Sequence, residues 1–335
     1  MSIEELGKNK TKIILIALVA LFLFAIPVML SRSALWTRVY SYICIFCILA
    51  SALNLMVGFT GQLSLGIAAI AGMSAYTSAY LMMAVGLPFW LAFPAAALTA
   101  TALGIVLGFP GLRLRGFYFA MATLLMQNVI GQIFLDWVGF TKGDMGLSGI
   151  PPPNILGVDI VGINYAYLCL GMLGLTLYVV FRITNSNLGI KMTTIKEDDI
   201  LAGSLGINVA RTKLIVYAVS SFFIGVGGSL LGHLILVLTP RQFTIGLSFQ
   251  MLVQIMVGGS ATIIGPLIGA ALLTALPYLI RELYLIQDAI NGFLLIIVAI
   301  SIQGGIYGRI KSALLKIRKK ELAETERVEM DLERA

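Results

Sequence analysis

Residues 39–112 form a stretch of 74 consecutive positions without an Asp, Glu, Lys, Arg or His. Water-soluble chains place ionisable groups at their surface far more often, whereas a bilayer takes about 20 apolar residues per helical crossing. The stretch therefore predicts roughly three membrane helices joined by tight, uncharged turns. Apolar runs recur at 13–30, 116–135, 160–181, 214–239, 242–280 and 289–308, interrupted by no Asp, Glu, Lys or Arg and by the single histidine His233. The pattern predicts an all-α polytopic membrane protein of about ten transmembrane helices. They fall near 13–30, 39–57, 62–84, 89–109, 117–138, 163–182, 214–237, 248–262, 266–281 and 286–303. Two stretches depart from regular helix: 62–84 is rich in Gly and Ser, and 248–281 contains Gly258-Gly259 and Gly265-Pro266. Both are candidates for broken or re-entrant helices, tolerated at membrane depth only inside protein or beside a water-filled cavity.

Charge sets the orientation. With the N-terminus in the cytoplasm, Lys8, Lys10, Lys12, Arg113, Arg115, the 182–213 loop and the tail beyond Arg309 all fall inside. Eighteen Lys and Arg are then cytoplasmic and five, Arg32, Arg38, Lys142, Arg241 and Arg281, are outside. The positive-inside rule strongly prefers this arrangement to its inverse. An even number of crossings returns the C-terminus to the cytoplasm. Residues 1–310 read as the membrane domain and 311–335 as a cytoplasmic charged tail. The first apolar run is too long for a signal peptide and lacks its small-residue cleavage site, so it is expected to be a retained helix.

The connections carry patterns of their own. The outer one, 139–162, holds Gly143, Gly146, Gly149 and Pro151-Pro152-Pro153, which excludes regular helix and leaves an ordered cap or a flexible loop. In the inner connection, Lys196-Glu197-Asp198-Asp199 precedes Ile200-Leu201-Ala202 and the run stops between Gly203 and Gly206. Acidic residues at a start and glycine at an end predict one short helix on the cytoplasmic surface.

Composition adds two points. Hydrophobic residues are 59% and charged residues 12%, which leaves little chain for an extramembrane domain. The net charge of +7 comes from the flanks of apolar runs, so it reports topology and not nucleic-acid binding. Thirty-five glycines serve close helix approach in a membrane, as at Gly104/Gly108, Gly228/Gly232 and Gly265/Gly269.

Candidate chemistry is sparse. Asp136, Arg281 and Glu282 stand at predicted helix ends, near water. His233 reads as a neutral histidine hydrogen-bonded to a neighbouring helix. Cys44, Cys47 and Cys169 read as buried small apolar residues, because the Cys44/Cys47 pair has no second pair to complete a metal site. The chain has no paired carboxylates, no nucleophile with a base and no Gly-x4-Gly-Lys-Ser/Thr cradle. No enzyme activity, metal or cofactor is expected. Intramembrane carboxylates, common in proton- or sodium-coupled carriers, are missing too.

Five ordered blocks carry a family resemblance. The first runs from Asn54-Leu55-Met56-Val57-Gly58-Phe59-Thr60-Gly61-Gln62-Leu63-Ser64-Leu65-Gly66 through Ala68-Ala69 and Gly72 to Ala75-Tyr76. Then come Leu112-Arg113-Leu114-Arg115-Gly116-Phe117-Tyr118-Phe119-Ala120 with Thr123-Leu124, and Gly146-Leu147-Ser148-Gly149-Ile150-Pro151. The last two are Lys196-Glu197-Asp198 through Gly206-Ile207-Asn208 to Lys213-Leu214, and Val257-Gly258-Gly259 with Gly265-Pro266 and Gly269-Ala270-Ala271. Together they resemble the permease subunits of branched-chain amino-acid ABC importers over roughly residues 40–305, and the long outer loop favours the LivM-like member of the pair. Departures are Ile67 where the family often has His, Ala261 where it often has Gly, Lys142 within a usual Thr-Gly-Gly run, and Gln303-Gly304-Gly305 in place of a Pro-containing turn. Related permeases for urea, short amides and other amino acids share these blocks and are the alternative substrates; a secondary transporter is the alternative mechanism.

The resemblance implies a membrane-embedded partnership. A second permease subunit pairs with this one, two ATPase subunits bind below, and a soluble binding protein delivers substrate from outside, in a prokaryotic inner membrane. Lys196, Glu197, Asp198, Asp199, Ala202 and Gly206 would form the ATPase-coupling element. Asn54, Gly58, Gly61, Ser64, Gly66, Gly258, Gly259 and Gly265 would serve helix packing or the translocation path. Asp136, Lys142, Asp144 and Arg241, on the outer face, would dock the binding protein, which does the selecting because no charged group lies at depth to hold an amino acid.

Overall fold

A computed structural model describes residues 26–29, 33–112, 114, 116–155, 158–279 and 308 of the chain. The expected crossing at 286–303, the tail at 311–335 and all but 26–29 of the crossing at 13–30 lie outside the described residues, as do Arg32, Arg113, Arg115, Arg281 and Glu282.

Among the described residues, five helices are long and apolar enough to cross a membrane: Ala34–Phe59, Phe89–Gly108, Gly116–Asp136, Ile163–Thr184 and Val209–Ile235. In chain order the elements are α1 (Ala34–Asn54), which runs on into a π-helical turn at Leu55–Phe59, α2 (Ile67–Met83), α3 (Phe89–Gly108) and α4 (Gly116–Asp136). A short α5 (Val138–Thr141) leads into the outer connection, followed by α6 (Ile163–Thr184), α7 (Asn187–Glu197), α8 (Asp199–Ser204) and α9 (Val209–Ile235). Two shorter helices follow, α10 (Ile245–Gly258) and α11 (Gly265–Leu279). The chain is a helical bundle built around α9, which packs on α1, α2 and α3.

Small residues bring those helices together. A Cβ on Gly225 of α9 would sit 2.6 Å from the Cβ of Ala100 on α3, and one on Gly228 would sit 2.7 Å from the Cα of Ala71 on α2. In lipid, where no hydrophobic force gathers helices, this backbone contact supplies the dispersion attraction.

The expected breaks are real. After the π turn, residues 60–66 leave helical geometry, and α2 begins only at Ile67. Its 17 residues give a rod about 26 Å long, short of the roughly 30 Å hydrocarbon core. Likewise α10 has 14 residues, about 21 Å, and turns at 259–264 into α11.

The outer connection is ordered as a cap. Two-residue strands β1 (Leu147–Ser148), β2 (Asn154–Ile155), β3 (Val158–Asp159) and β4 (Val237–Leu238) form two antiparallel pairs, β1 with β4 and β2 with β3. Ile150 and Ile160 are buried beneath it. Strands this short offer no alternation for a sequence pattern to register.

The inner connection corrects one expectation. It holds two helices where a single one was expected, and Lys196-Glu197 closes α7 instead of opening the next helix. Asp198 adopts extended backbone (φ −156°, ψ 117°) and interrupts the run. The signal for α7 lay in Leu188, Met192 and Ile195 at i, i+4 and i+7, the spacing of one apolar helix face.

Candidate functional site

Two neighbouring constellations emerge at one end of the bundle, and a third lies on the opposite face. At the first, Asp198 Oδ1 accepts the backbone N–H groups of Ile200 (2.7 Å) and Leu201 (3.2 Å), which have no partner inside a helix start. Gly206 (φ 79°) ends α8 in a Schellman arrangement: Ile207 N–H donates to Ala202 O and Gly206 N–H to Gly203 O. Ala202 is buried, while Ile200 (67%), Leu201 (54%) and Leu205 (67%) are exposed. Asp199 binds Lys213 of α9 at 2.6 Å, with only 15% and 11% of those side chains accessible. Removing one partner of so sheltered a pair costs about 3 kcal/mol. Lys196, at the end of α7, lies against Gly61, whose φ of 74° favours glycine.

The second constellation is a buried junction formed by the breaks. Asn54 donates from Nδ2 to Thr262 O at 2.7 Å and accepts the Ala261 N–H on Oδ1 at 3.1 Å, clamping the turn between α10 and α11. A Cβ on Gly58 would meet Ala261 N at 2.6 Å. Gly258 and Gly265 face each other across the turn too closely for any side chain, and Gly259 holds φ 120°. Ser64 bonds the Tyr217 hydroxyl at 2.8 Å, and Gln62 Nε2 donates to Lys213 O at 3.4 Å. The junction thus touches the same lysine that holds α8.

Gly66 precedes α2, whose first N–H groups are taken by side chains of other helices. Leu65 N–H donates to Thr123 Oγ1 (3.0 Å), Ala68 N–H to Ser248 Oγ (3.0 Å) and Ala69 N–H to Gln127 Oε1 (2.6 Å). Gln127 also donates to Phe243 O at 2.8 Å. A helix start at depth is ordinarily an anion site; here those N–H groups are satisfied internally. Gln127 and Ser248 escaped the sequence reading. Thr123 and Gln127, polar at i and i+4 on an apolar helix, were the available signal.

Ala261 carries a φ of 58°, the left-handed region that costs a non-glycine residue about 1 kcal/mol. Ala261→Gly is therefore expected to raise the stability of the detergent-extracted protein by up to about 1 kcal/mol, read as a higher midpoint in a thermal unfolding assay. An unchanged or lower midpoint would show that the Asn54 bond already removes the strain.

At the opposite end of the bundle, Arg241 grips Asp144 with two parallel bonds, Nε to Oδ1 at 3.1 Å and Nη2 to Oδ2 at 3.0 Å, across 97 residues of chain. The carboxylate pushes the Arg241 pKa up. Lys142 is exposed with φ 64°, and Asp136 accepts from Gln132. So two of the four charges expected to dock a binding protein pair with each other and the other two stand apart. His233 is buried: its Nδ1 donates to Pro151 O (3.2 Å), which leaves Nε2 to accept from Ser78 of α2 (2.8 Å). A cavity of about 510 Å3 between the cap and the adjoining ends of α1, α6 and α9 is lined by Arg38, Ser41, Pro152, Ile160, Tyr165 and His233, among others. Its polar side chains already bond within the protein, Arg38 to Leu234 O, Ser41 to Thr37 O and Tyr165 to Leu230 O.

Comparison with known proteins agrees with the blocks. The family described as "Branched-chain amino acid transport system / permease component" matches residues 35–301. The chain is 32% identical over 297 residues to the high-affinity branched-chain amino acid transport system permease protein LivM of Escherichia coli K12, covering 82% of this chain and 69% of that protein. The same figures hold for LivM of Salmonella typhimurium LT2. Among solved structures, PsaBC from Streptococcus pneumoniae in complex with Fab aligns at a TM-score of 0.47 and 12% identity, over 85% of this chain and 97% of that one.

Proposed function

We propose, from the premise that this chain belongs to the permease family of branched-chain amino-acid transport systems, that it is a permease subunit of a binding-protein-dependent ABC importer carrying leucine, isoleucine or valine. It spans a prokaryotic inner membrane about ten times, with both termini in the cytoplasm. A second permease subunit pairs with it, two ATPase subunits bind beneath, and a soluble protein delivers substrate to the outer face near Asp136, Lys142, Asp144 and Arg241. ATP is hydrolysed by the separate subunits, and this chain performs no chemistry of its own.

The observation that carries this reading is α8, a capped helix that holds Ile200, Leu201 and Leu205 out from the water-facing end of the bundle. A cluster of exposed apolar residues on a rigid support marks a protein contact. ATP-driven closure of the ATPases would push α8, and two connections would pass that push inward. The Asp199–Lys213 pair leads to α9, and the Lys196–Gly61 contact leads to the break after α1. The junction around Asn54 and Ala261 is then the place where two packings of the bundle interconvert between outward-open and inward-open states.

Reconstitution tests the reading. The complete complex in liposomes is expected to accumulate radiolabelled leucine only when ATP and the binding protein are both present. Uptake driven by an ion gradient without ATPases would make the chain a secondary transporter. Uptake of urea or a short amide in place of leucine would keep the mechanism and change the substrate.

A further inference from the structure

Of the described membrane helices, α4 is the one whose exposed face carries amide side chains midway along the span. Asn128 and Gln132 are both exposed and, with Asp136, stand at i, i+4 and i+8 on one face. Gln132 Nε2 donates to the two Asp136 carboxylate oxygens at 3.1 and 3.2 Å. Asn128 makes no hydrogen bond among the described residues. At 1.5 Å per residue, Asn128 lies about 18 Å from the start of α4 and Asp136 about 30 Å. The amides thus descend from the outer end to near the middle of the span, and Leu125 and Met121, also exposed, continue the same line inward.

The other open helix faces differ. Through the span, that of α6 carries Gly171, Gly174, Leu175, Tyr178 and Phe181, with exposed Asn164 and Arg182 only at its two ends, and that of α3 includes Trp90, Leu98 and Val106. Those surfaces suit lipid or a close-packed neighbour. An amide turned toward hydrocarbon with no partner costs several kcal/mol, so the Asn128 face is not built for lipid.

We propose that this face of α4 lines the translocation pathway, opposite the second permease subunit. Asn128 and Gln132 meet the charged groups of a passing amino acid, and Leu125 and Met121 form an apolar constriction below them. The proposal rests on the importer reading above and names the residues that handle substrate. A primary amide donates to a carboxylate and accepts from an ammonium, so two uncharged side chains can solvate both ends of a zwitterion without holding it tightly. Release toward the cytoplasm then requires no ion pair to break, and the aliphatic side chain meets Leu125 and Met121.

Water access tests the assignment independently of substrate. Cys44, Cys47 and Cys169 are buried, which keeps the background low in thiol labelling of the assembled transporter. Asn128→Cys and Gln132→Cys are expected to react with a membrane-impermeant cationic methanethiosulfonate from outside at least about tenfold faster than Gly174→Cys on α6. A Cβ at Gly174 meets nothing within 4 Å, so that control folds without strain. In addition, Asn128→Leu combined with Gln132→Leu is expected to lower ATP-driven uptake about tenfold or more. Labelling at 128 and 132 no faster than at 174 would overturn the proposal, whatever the leucine variants do. Fast labelling of the two cysteine variants, when the wild-type complex moves no branched-chain amino acid, would instead retain the pathway and overturn the substrate.

Discussion

Gly265→Leu is expected to leave no working transporter. A Cβ at this position would press on Gly259 O and Thr262 Oγ1 and lie 3.0 Å from Gly258 O. Two of these three contacts are backbone atoms of the opposing turn, which Asn54 holds in place with two hydrogen bonds. Overpacking a core by a few methylenes costs about 1–3 kcal/mol, and four carbons driven against clamped backbone fall at or beyond the top of that range. Gly66→Leu acts by the same cause with a looser fit, since its Cβ would stand 3.3 Å from Thr123 O and from Leu107 Cδ1. Gly171→Leu, on an open face where a Cβ meets nothing within 4 Å, is the control that should stay active. Co-purification of the partner permease from detergent, followed by uptake in liposomes, reads the result. A Gly265→Leu protein that keeps its partner and transports normally would show that α10 and α11 do not approach as described.

The second large effect is expected at α8. Glu197→Lys with Asp198→Lys should abolish ATP-driven uptake while the protein stays assembled in the membrane. The structure divides that effect unequally. Asp198 accepts two otherwise unpartnered N–H groups, so its loss costs about 1–2 kcal/mol of helix stability, and the introduced ammonium further opposes the helix dipole. Glu197 is exposed at the end of α7, where an acidic residue faces the negative end of the dipole, and Glu197→Lys alone should be mild. Asp198→Asn, which preserves the cap, should retain most uptake. If Asp198→Lys transports as well as wild type, α8 is not the element that receives the push from the ATPases.

Hydropathy is a local quantity, and the long apolar helices it marks were legible along the chain. Uncharged runs of the right length mark the helices at Phe89–Gly108, Gly116–Asp136 and Ile163–Thr184, because each residue pays its transfer cost to lipid whatever its neighbours are. Glycine and serine within 62–84, and Gly258-Gly259 and Gly265-Pro266 within 248–281, announced departures from regular helix, since these residues cannot be there for helix propensity; the structure narrows them to 60–66 and 259–264. Acidic residues before Ile200 and glycine at 203–206 marked a short helix there by chemistry that acts over a few residues, although Lys196-Glu197 proved to close α7 and not to open α8.

Pairing across the chain was not legible, because nothing local distinguishes a buried polar residue from an exposed one. Gln127 and Asn128 are adjacent amides on the same apolar helix. About 100° of helical rotation separates them, and only the packing of α2 and of the segment before α10 on α4 turns Gln127 inward, to Ala69 and Phe243. Asn128 is left on the open face. The pairing of Leu147 with Leu238, the Asp144–Arg241 grip and the meeting of Asn54 with Ala261 are of the same kind. Each joins residues roughly 90 to 210 positions apart, so its energy appears only once the intervening helices have closed the loop. Hydropathy therefore marked the apolar helices and the ordered sequence blocks carried the family resemblance, while the tertiary packing alone decided which polar groups seal the bundle and which stay on its open faces.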